Sequence, residues 1–200
     1  MSALSGRRES QAVSLTATVK EELARIQVTK RQTRLAELSS VLRFSGGLAR
    51  IGNRLAVESE VETKQIAQRI QRDLIDLFGV RPDVSVIAPG GTKRTVTYLV
   101  RVLEGETLAR QTGLLDARQR PTRGLPAALV TGSLEDAAAV WRGAFLASGA
   151  LTDPGRSSAL EVSCPAAEAG MALLGAARRL GVAGRAREDF FVFCGLYLNF

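Results

Sequence analysis

Residues 141–154 read Trp141-Arg142-Gly143-Ala144-Phe145-Leu146-Ala147-Ser148-Gly149-Ala150-Leu151-Thr152-Asp153-Pro154. Just upstream, Ser133 followed by Glu135 and Asp136 has the form of an N-cap with acids in the first turn. An Ala-rich helix is therefore expected from Ser133 to about Gly149. An earlier stretch ends the same way. Leu35, Leu38, Val41 and Leu42 recur at spacings of three and four, a helical stripe. It stops at Ser45-Gly46-Gly47, where glycine can take the left-handed C-cap conformation. In both halves a strand follows and then a second helix, ending at Phe78-Gly79-Val80 or Leu180-Gly181-Val182. Those endings lie 102 residues apart, and the strands Val57-Glu58-Ser59-Glu60 and Leu160-Glu161-Val162-Ser163 lie 103 apart. The pattern predicts an α+β fold of two pseudo-symmetric helix–hairpin–helix–hairpin repeats facing each other across a pseudo-twofold axis. Alone, each unit would leave its sheet half exposed, and pairing buries the interface helices. The apolar faces of helices 35–45 and 135–149 are expected to meet near Gly46 and Gly149.

The rest of the chain is arranged around these helices. Residues 1–16 are polar and rich in small residues, and are expected to be a disordered tail. Thr18-Val19-Lys20-Glu21 has the form of a capping box and opens a helix through Ile26. Leu48 to Glu60 reads as a hairpin turning at Gly52-Asn53. Glu62 to Phe78 is an amphipathic helix with Ile66, Ile70, Leu74, Leu77 and Phe78 on one stripe. Val84 to Ala88 and Thr95 to Leu103 form a second hairpin around Pro89-Gly90-Gly91. The first repeat thus spans 17–103. Residues 104–132, with scattered Gly, Pro and Arg, read as a connector. The second repeat, 133–189, holds a strand at 158–164 and a helix at 166–180, and reads as incomplete. The tail 190–200 is atypical: it has four of the seven Phe, Tyr197 and no charged side chain. It either supplies a last strand or replaces the natural continuation through a frameshift or truncation, and its composition favours the second.

Composition excludes several chemistries. There is no histidine among the 200 residues, which removes every Ser-His, Cys-His or histidine-ligated metal mechanism. Cys164 and Cys194 stand 30 apart without a CxxC pair and cannot form a structural zinc site alone. Neither a GxxxxGK[ST] loop nor a GxGxxG after a strand is present. No metal and no cofactor is expected. Hydrophobic residues make up 46 % and charged residues 24 %, ordinary for a soluble fold. No apolar run approaches the roughly 20 residues of a membrane-spanning helix, and the N-terminus has no apolar signal core. A cytoplasmic protein without a membrane partner is expected. The net charge of +7 is concentrated: residues 1–50 carry nine Lys/Arg against four acids, and 90–125 carry seven against three. Two basic blocks on a nearly neutral background point to a polyanion, nucleic acid first, or to a solvated arginine-rich surface.

The two interface helices resemble the LAGLIDADG helix of homing endonucleases. Set on that nine-letter motif, Leu146 and Ala147 match and Asp153 falls on the second Asp. In the first repeat Leu38 and Gly46 match, and Ser45 occupies the acid position. Further matches are Val19-Lys20-Glu21-Glu22-Leu23, Leu42-Arg43-Phe44-Ser45-Gly46-Gly47-Leu48, Ala109-Arg110-Gln111-Thr112-Gly113-Leu114-Leu115-Asp116, Arg123-Gly124-Leu125-Pro126 and Trp141-Arg142-Gly143-Ala144-Phe145-Leu146. Together they make residues 17–187 similar to the N-terminal domain of the WhiA family. The resemblance implies a homing-endonuclease fold and a nucleoid-associated regulator of transcription in sporulation and cell division of actinobacteria and other Gram-positive bacteria. The family adds a C-terminal helix-turn-helix domain that carries most of the DNA recognition. With the last residue at Phe200, that domain is expected to be missing.

A LAGLIDADG nuclease needs one carboxylate from the end of each interface helix to hold divalent cations between the scissile phosphates. Asp153 and Ser45 supply only one, Arg43 adds positive charge nearby, and Pro154 replaces the motif's final glycine. The reading is a binding module without nuclease activity, with Asp153 a vestigial acid or an ordinary turn residue. Trp141 reads as an apolar anchor, and Glu58, Glu60 and Glu62 as a solvated edge. On strand 95–103, Val96, Tyr98, Val100 and Val102 should face the helices, leaving Thr95, Thr97, Leu99 and Arg101 on the open face. Candidate phosphate contacts are Lys93, Arg94, Arg101, Arg118, Arg120 and Arg123. The competing reading is a scaffold that contacts RNA polymerase or a co-regulator.

Overall fold

The computed structural model describes residues 15–90, 95–151, 159–189 and 193–199. In chain order these form α1 (15–25), α2 (Arg31–Phe44), β1 (Gly46–Ile51), β2 (Arg54–Val61), α3 (Lys64–Phe78), β3 (Asp83–Ile87), β4 (Thr97–Val102), α4 (Glu106–Gln111), α5 (Ala127–Val130), α6 (Leu134–Ser148), β5 (Gly149–Leu151), β6 (Ala159–Val162), α7 (Ala167–Arg179), β7 (Gly184–Asp189) and β8 (Phe193–Asn199). The expected duplication is present. Two four-stranded antiparallel sheets have the same strand order, β1-β2-β4-β3 and β5-β6-β8-β7. Gly46 pairs with Ser59 and Gly149 with Val162, so both partners shift by 103 residues between repeats.

Local sequence explains the element ends. Thr63 caps α3 by accepting from Ile66 N, and Gly79 closes it in the left-handed region at φ +67°. The glycines ending α2 work differently from the expected left-handed cap. Ser45 is the C-cap, with φ −110°, and the chain enters β1 directly at Gly46. A Cβ at Gly46 would meet the Glu58 carbonyl carbon at 2.9 Å, so glycine is required there for close approach of the two strands.

The helices α2 and α6 pack against each other along their length. Each contributes to the other's core. Leu146 of α6 sits with Leu38, Leu42, Val57, Ile70 and Val100 under the first sheet. Phe44 and Ala36 of α2 sit with Trp141, Phe145, Val162 and Leu173 under the second. Trp141 is the anchor expected of it, and its indole N–H donates to Leu173 O at 3.0 Å. At the crossing, Gly143 faces the backbone of α2: a Cβ there would lie 2.9 Å from Ser40 Cβ and 3.1 Å from Val41 N. Ser40 Oγ donates to Val140 O at 2.7 Å across the same gap.

Beneath the crossing lies a buried ion network. Glu37 of α2 is 1 % exposed. It accepts two hydrogen bonds from Arg69 of α3, one of them 3.0 Å from Nη2 to Oε2, and one of 2.6 Å from Arg142 Nε of α6. Arg69 Nη1 also donates to Ala24 O and Ile26 O, at 3.1 and 2.6 Å, which fixes the end of α1. Lys20 of α1, itself buried, pairs with Glu62 at 2.8 Å.

Three expectations need correction. Residues 104–132 are more than a connector: Leu108, Ala109, Leu114, Leu115 and Leu129 are buried. Arg43 Nη2 donates to Thr122 Oγ1 at 2.7 Å, which ties the segment to α2. The scattered Gly and Pro hid an apolar pattern too short to register as a helix. Second, the sheet of the second repeat is complete, because Phe193–Asn199 forms its inner strand β8, paired with both β6 and β7. Third, Glu58 and Glu60 stand on β2, an interior strand rather than an edge.

Two outcomes follow from the packing. Gly143→Val should cost about 2–3 kcal/mol in urea unfolding, because backbone lies where the side chain would go. Gly175→Ala, whose Cβ meets only Val130 Cγ1 at 3.6 Å in the interior of α7, should stabilise by about 0.5–1 kcal/mol.

A third concerns pH. Ser133 Oγ accepts from Asp136 N at 3.1 Å, Asp136 Oδ2 accepts from Ser133 N at 2.9 Å, and Asp136 Oδ1 accepts from Thr33 Oγ1 at 2.7 Å. Burial works to raise the Asp136 pKa, but the hydrogen bonds from Thr33 and Ser133 outweigh it and hold the carboxyl below its ordinary range. A lowered folded-state pKa gives stability that is present above the unfolded pKa of about 3.9 and is lost as pH falls through the folded value. Asp136→Asn should therefore cost about 1 kcal/mol near pH 7, with the difference from the parent narrowing in unfolding titrations below about pH 4.

Candidate nucleic-acid interface

In this fold two places bear on nucleic-acid chemistry: the paired C-terminal ends of α2 and α6, and the open faces of the sheets. At the first helix end, Ser45 N and Ser45 Oγ both donate to Val41 O, at 2.9 and 2.7 Å. The Ser45 hydroxyl also bonds Ser59 Oγ. Glu60 N donates to Ser45 O at 2.9 Å, which locks the turn into β1. The second helix end repeats this 103 residues later. Ser163 N donates to Ser148 O at 3.2 Å, and Ser148 Oγ donates to Ser163 O at 2.7 Å.

This register corrects the motif alignment. α6 ends at Ser148 and passes straight into β5 at Gly149–Leu151. The residue equivalent to Ser45 is therefore Ser148, while Asp153 falls five residues beyond the helix end and outside the described residues. The nine motif positions of α6 are Trp141 to Gly149. Sequence reasoning had the signal to find this, since the spacing of 103 applied to Ser45 gives Ser148. Both acid positions thus hold neutral hydroxyls already engaged in capping. Among the described residues no group of three or more Cys, Asp or Glu is placed to hold a metal ion.

Arg43, two residues before Ser45, turns toward the connector. Burial pushes its guanidinium pKa below the usual value. It has no carboxylate partner among the described residues, only Thr122 Oγ1 and Gly113 O.

Within β4 the open face of the first sheet follows the expected alternation, whereas Val96, expected against the helices, precedes the strand and is exposed. Val100 and Val102 are buried and Tyr98 packs against the core, so Thr97, Leu99 and Arg101 lie on the other side. Arg101 is not a free cation: its Nε donates to Glu58 Oε1 at 2.6 Å, and Thr97 Oγ1 donates to Glu60 Oε1 at 2.6 Å. By register the same face carries Arg54 and Asp83, giving three acids against two arginines. On the second sheet Glu161 is half-buried and Arg185 exposed.

The connector arginines are placed elsewhere. Arg120 Nη2 lies 2.8 Å from Asp116 Oδ2, and Arg118 N and Arg120 N both donate to Asp116 Oδ1. The backbone hydrogen bond from Arg120 is the main cause that holds the Asp116 pKa below its ordinary value. Arg123 Nε lies 3.4 Å from Glu168 Oε2 at the start of α7. Arg123 therefore belongs to the helix layer of the second repeat and Arg101 to the sheet layer of the first. Lys93 and Arg94 lie outside the described residues.

Two repeats of one architecture, joined through α2 and α6 with serines at both helix ends, match known proteins. The family described as the WhiA N-terminal LAGLIDADG-like domain matches residues 31–115, and the WhiA LAGLIDADG-like domain matches residues 137–189. The chain belongs to the WhiA family. A relative from Leifsonia xyli subsp. xyli, named "Probable cell division protein WhiA", is 64 % identical over 177 residues, covering 88 % of this chain and 54 % of its own length. The chain thus spans about half the length of the curated WhiA relatives it matches. Among solved structures, the N-terminal LAGLIDADG domain of a WhiA protein superposes with a TM-score of 0.66 at 15 % identity, covering 92 % of this chain and 83 % of that one. The homing endonuclease I-DmoI, in complex with DNA and Mn, superposes with a TM-score of 0.57 at 18 % identity, covering 85 % and 90 %. Both likenesses establish the shared fold.

Refilling the two helix ends tests their chemistry. The double variant Ser45→Asp, Ser148→Asp should bind Mn²⁺ weakly, with Kd on the order of millimolar, because two facing carboxylates suit a hard cation. Either single variant should give no heat above the parent in calorimetric titration with MnCl₂. Both should lose some thermal stability, since each removes a hydroxyl that caps the turn.

Proposed function

We propose that the chain is the endonuclease-derived part of a WhiA-type regulator of sporulation and cell division, which meets DNA in the nucleoid without cutting it. The observation that carries the reading is the pair Ser45 and Ser148. A metal-dependent phosphodiesterase holds its cations with anionic oxygens at both helix ends. A serine hydroxyl that donates to a backbone carbonyl is neutral and supplies no anionic oxygen for a cation. The process is taken from the relatives, which are named for cell division. The fold neighbour I-DmoI binds DNA, which supports DNA as the partner of the open sheet faces. Arg101, Arg118, Arg120 and Arg123, with Lys93 and Arg94 between β3 and β4 in the sequence, are the cations on offer. Contacts of this kind add salt-dependent affinity without sequence information.

One observation favours a second reading, a scaffold for RNA polymerase or a co-regulator. Arg101, Arg120 and Arg123 are already matched by Glu58, Asp116 and Glu168, so phosphates must compete with carboxylates for them.

Two measurements decide between these readings. Supercoiled DNA incubated with the protein and Mg²⁺ or Mn²⁺ should show no nicking above buffer; cleavage abolished by Asp153→Ala would make this an enzyme. Titration of a promoter fragment at two salt concentrations should show weak, steeply salt-dependent binding that is indifferent to sequence. Salt-resistant, sequence-specific binding by these 200 residues would show that the domain itself reads DNA. Absence of binding together with capture of purified RNA polymerase would establish the scaffold instead.

A further inference from the structure

Helix α1 has no full counterpart in the second repeat. An offset of 103 carries 15–25 onto 118–128, where only the first residues of α5 are helical. α1 nevertheless spans the junction of the two repeats: Ala24 is part of the first core, Val19 packs against the second and Leu23 against both. Near its start, Thr16 Oγ1 accepts from Leu151 N at 2.9 Å and donates to Leu151 O at 3.4 Å, a tie to β5 of the second repeat. Further along, the ties are to the first repeat. Lys20 Nζ donates to Glu62 Oε2 at 2.8 Å, and Arg69 Nη1 donates to the carbonyls of Ala24 and Ile26.

The connector spans the same two cores, but it is held differently. It buries Leu108, Ala109, Leu114 and Leu115 in the first core and Leu129 in the second. Over 15–25 the only buried apolar side chain is Ala24. The other buried residue is Lys20, at 1 % exposure, while the Glu62 side chain that pairs with it is 60 % exposed. A buried ammonium must recover its lost hydration through its partner, so Lys20 contributes little driving force for seating α1. Segments that bury little apolar surface open by themselves, ahead of the global transition. At this length α1 also falls below the roughly 12–15 residues at which an isolated helix is marginal in water, so α1 released is α1 unfolded.

We propose that α1 is a releasable clasp across the two repeats: it opens and unfolds as a unit while both repeats and the connector stay folded. Opening breaks the ties of Thr16 to Leu151 and of Lys20 to Glu62, and frees Arg69 from Ala24 and Ile26. The remaining donors of Arg69 stay on Glu37, which Arg142 also holds, so α2 and α6 keep their register. What opening uncovers is the junction on which Leu23 sits, where the two cores meet. The clasp is independent of whether the open sheet faces touch DNA.

The test is native-state amide hydrogen exchange on the full 200-residue chain, read by NMR at increasing urea below the unfolding transition. Amides of 19–25 should exchange roughly 100-fold faster than those of 38–44, 140–146 and, in the connector, Ala109, Thr112, Leu114 and Leu115. Exchange over 19–25 should be nearly independent of urea, because little surface is exposed, while that of both interface helices accelerates. Glu62→Gln removes the charge that faces Lys20 and should speed exchange of 19–25 roughly tenfold. Glu62 is exposed, so this variant should fold. If 19–25 share the rate and urea slope of 38–44, α1 is part of one cooperative unit and no clasp. The clasp is equally refuted if the four connector amides open with α1, if Glu62→Gln leaves 19–25 unchanged, or if 19–25 exchange as fast as an unstructured peptide in the parent protein.

Discussion

The carboxylate of Glu37 is where the two halves of the molecule are joined. It lies beneath the α2–α6 crossing, out of contact with water, and takes hydrogen bonds from Arg69 in its own repeat and Arg142 in the other. One buried anion thus holds two cations. Arg69 uses its remaining donors on the end of α1, so four helices meet through a single side chain. The arrangement depends on Gly143, because only a residue without Cβ lets the α6 backbone come close enough for Arg142 to reach Glu37. Such a site is asymmetric in its energetics. The intact network roughly balances desolvation against attraction, whereas losing the carboxylate alone strands two guanidiniums, a situation that typically costs about 3–5 kcal/mol. Its main effect is on specificity: it fixes which helix faces meet and in what register, while the exchange of Leu146 and Phe44 between the two cores supplies the driving force.

That register determines what the helix ends can do. With α2 and α6 held in this crossing, Ser45 and Ser148 are equivalent, and each stabilises an abrupt passage from helix to strand. A carboxylate at either position would lose the hydroxyl's donation to a carbonyl and gain a repulsion with it. Capping the turn and binding a cation are therefore competing uses of one position. In this chain both positions serve the cap, and the two helix ends of the LAGLIDADG-like fold are a pair of structural turns.

The fold was legible because its signals are local and doubled. Stripes at Leu35–Leu42 and Ile66–Phe78, the cap at Ser133, and strand pairs at a constant offset all pointed one way, and the spacing of 103 carried the symmetry. What was missed depends on contacts between distant residues. The start of α2 at Arg31 was hidden because its first turns bury Thr33 and Glu37, polar residues whose partners Asp136 and Arg69 lie far along the chain. The connector's Leu108, Leu114 and Leu115 were obscured by intervening Gly and Arg. At the candidate site, residue identity suggested Asp153, but the position of the helix end outranks any match of letters. The pairing of Gly149 with Val162 shows that Ser148 holds the equivalent position, which the offset of 103 from Ser45 already implied.

Charge gives the last step. A formal +7 suggests a molecule ready for a polyanion, yet its distribution in space is more restrained than along the chain. Arg34 is held by Asp73 and Asp76, Arg69 and Arg142 by Glu37, Arg101 by Glu58, Arg120 by Asp116 and Arg123 by Glu168. Within the two blocks that look basic in sequence, Arg34 is thus spent on joining α2 to α3, Arg101 on pairing β4 with β2, and Arg120 and Arg123 on fastening the connector. Asp73 illustrates the cost of this use: burial pushes its carboxyl above the ordinary range even with Arg34 beside it. Electrostatic attraction to a duplex is a long-range sum over unpaired charge, so each cation already matched by a carboxylate weakens the pull that the formal charge suggests.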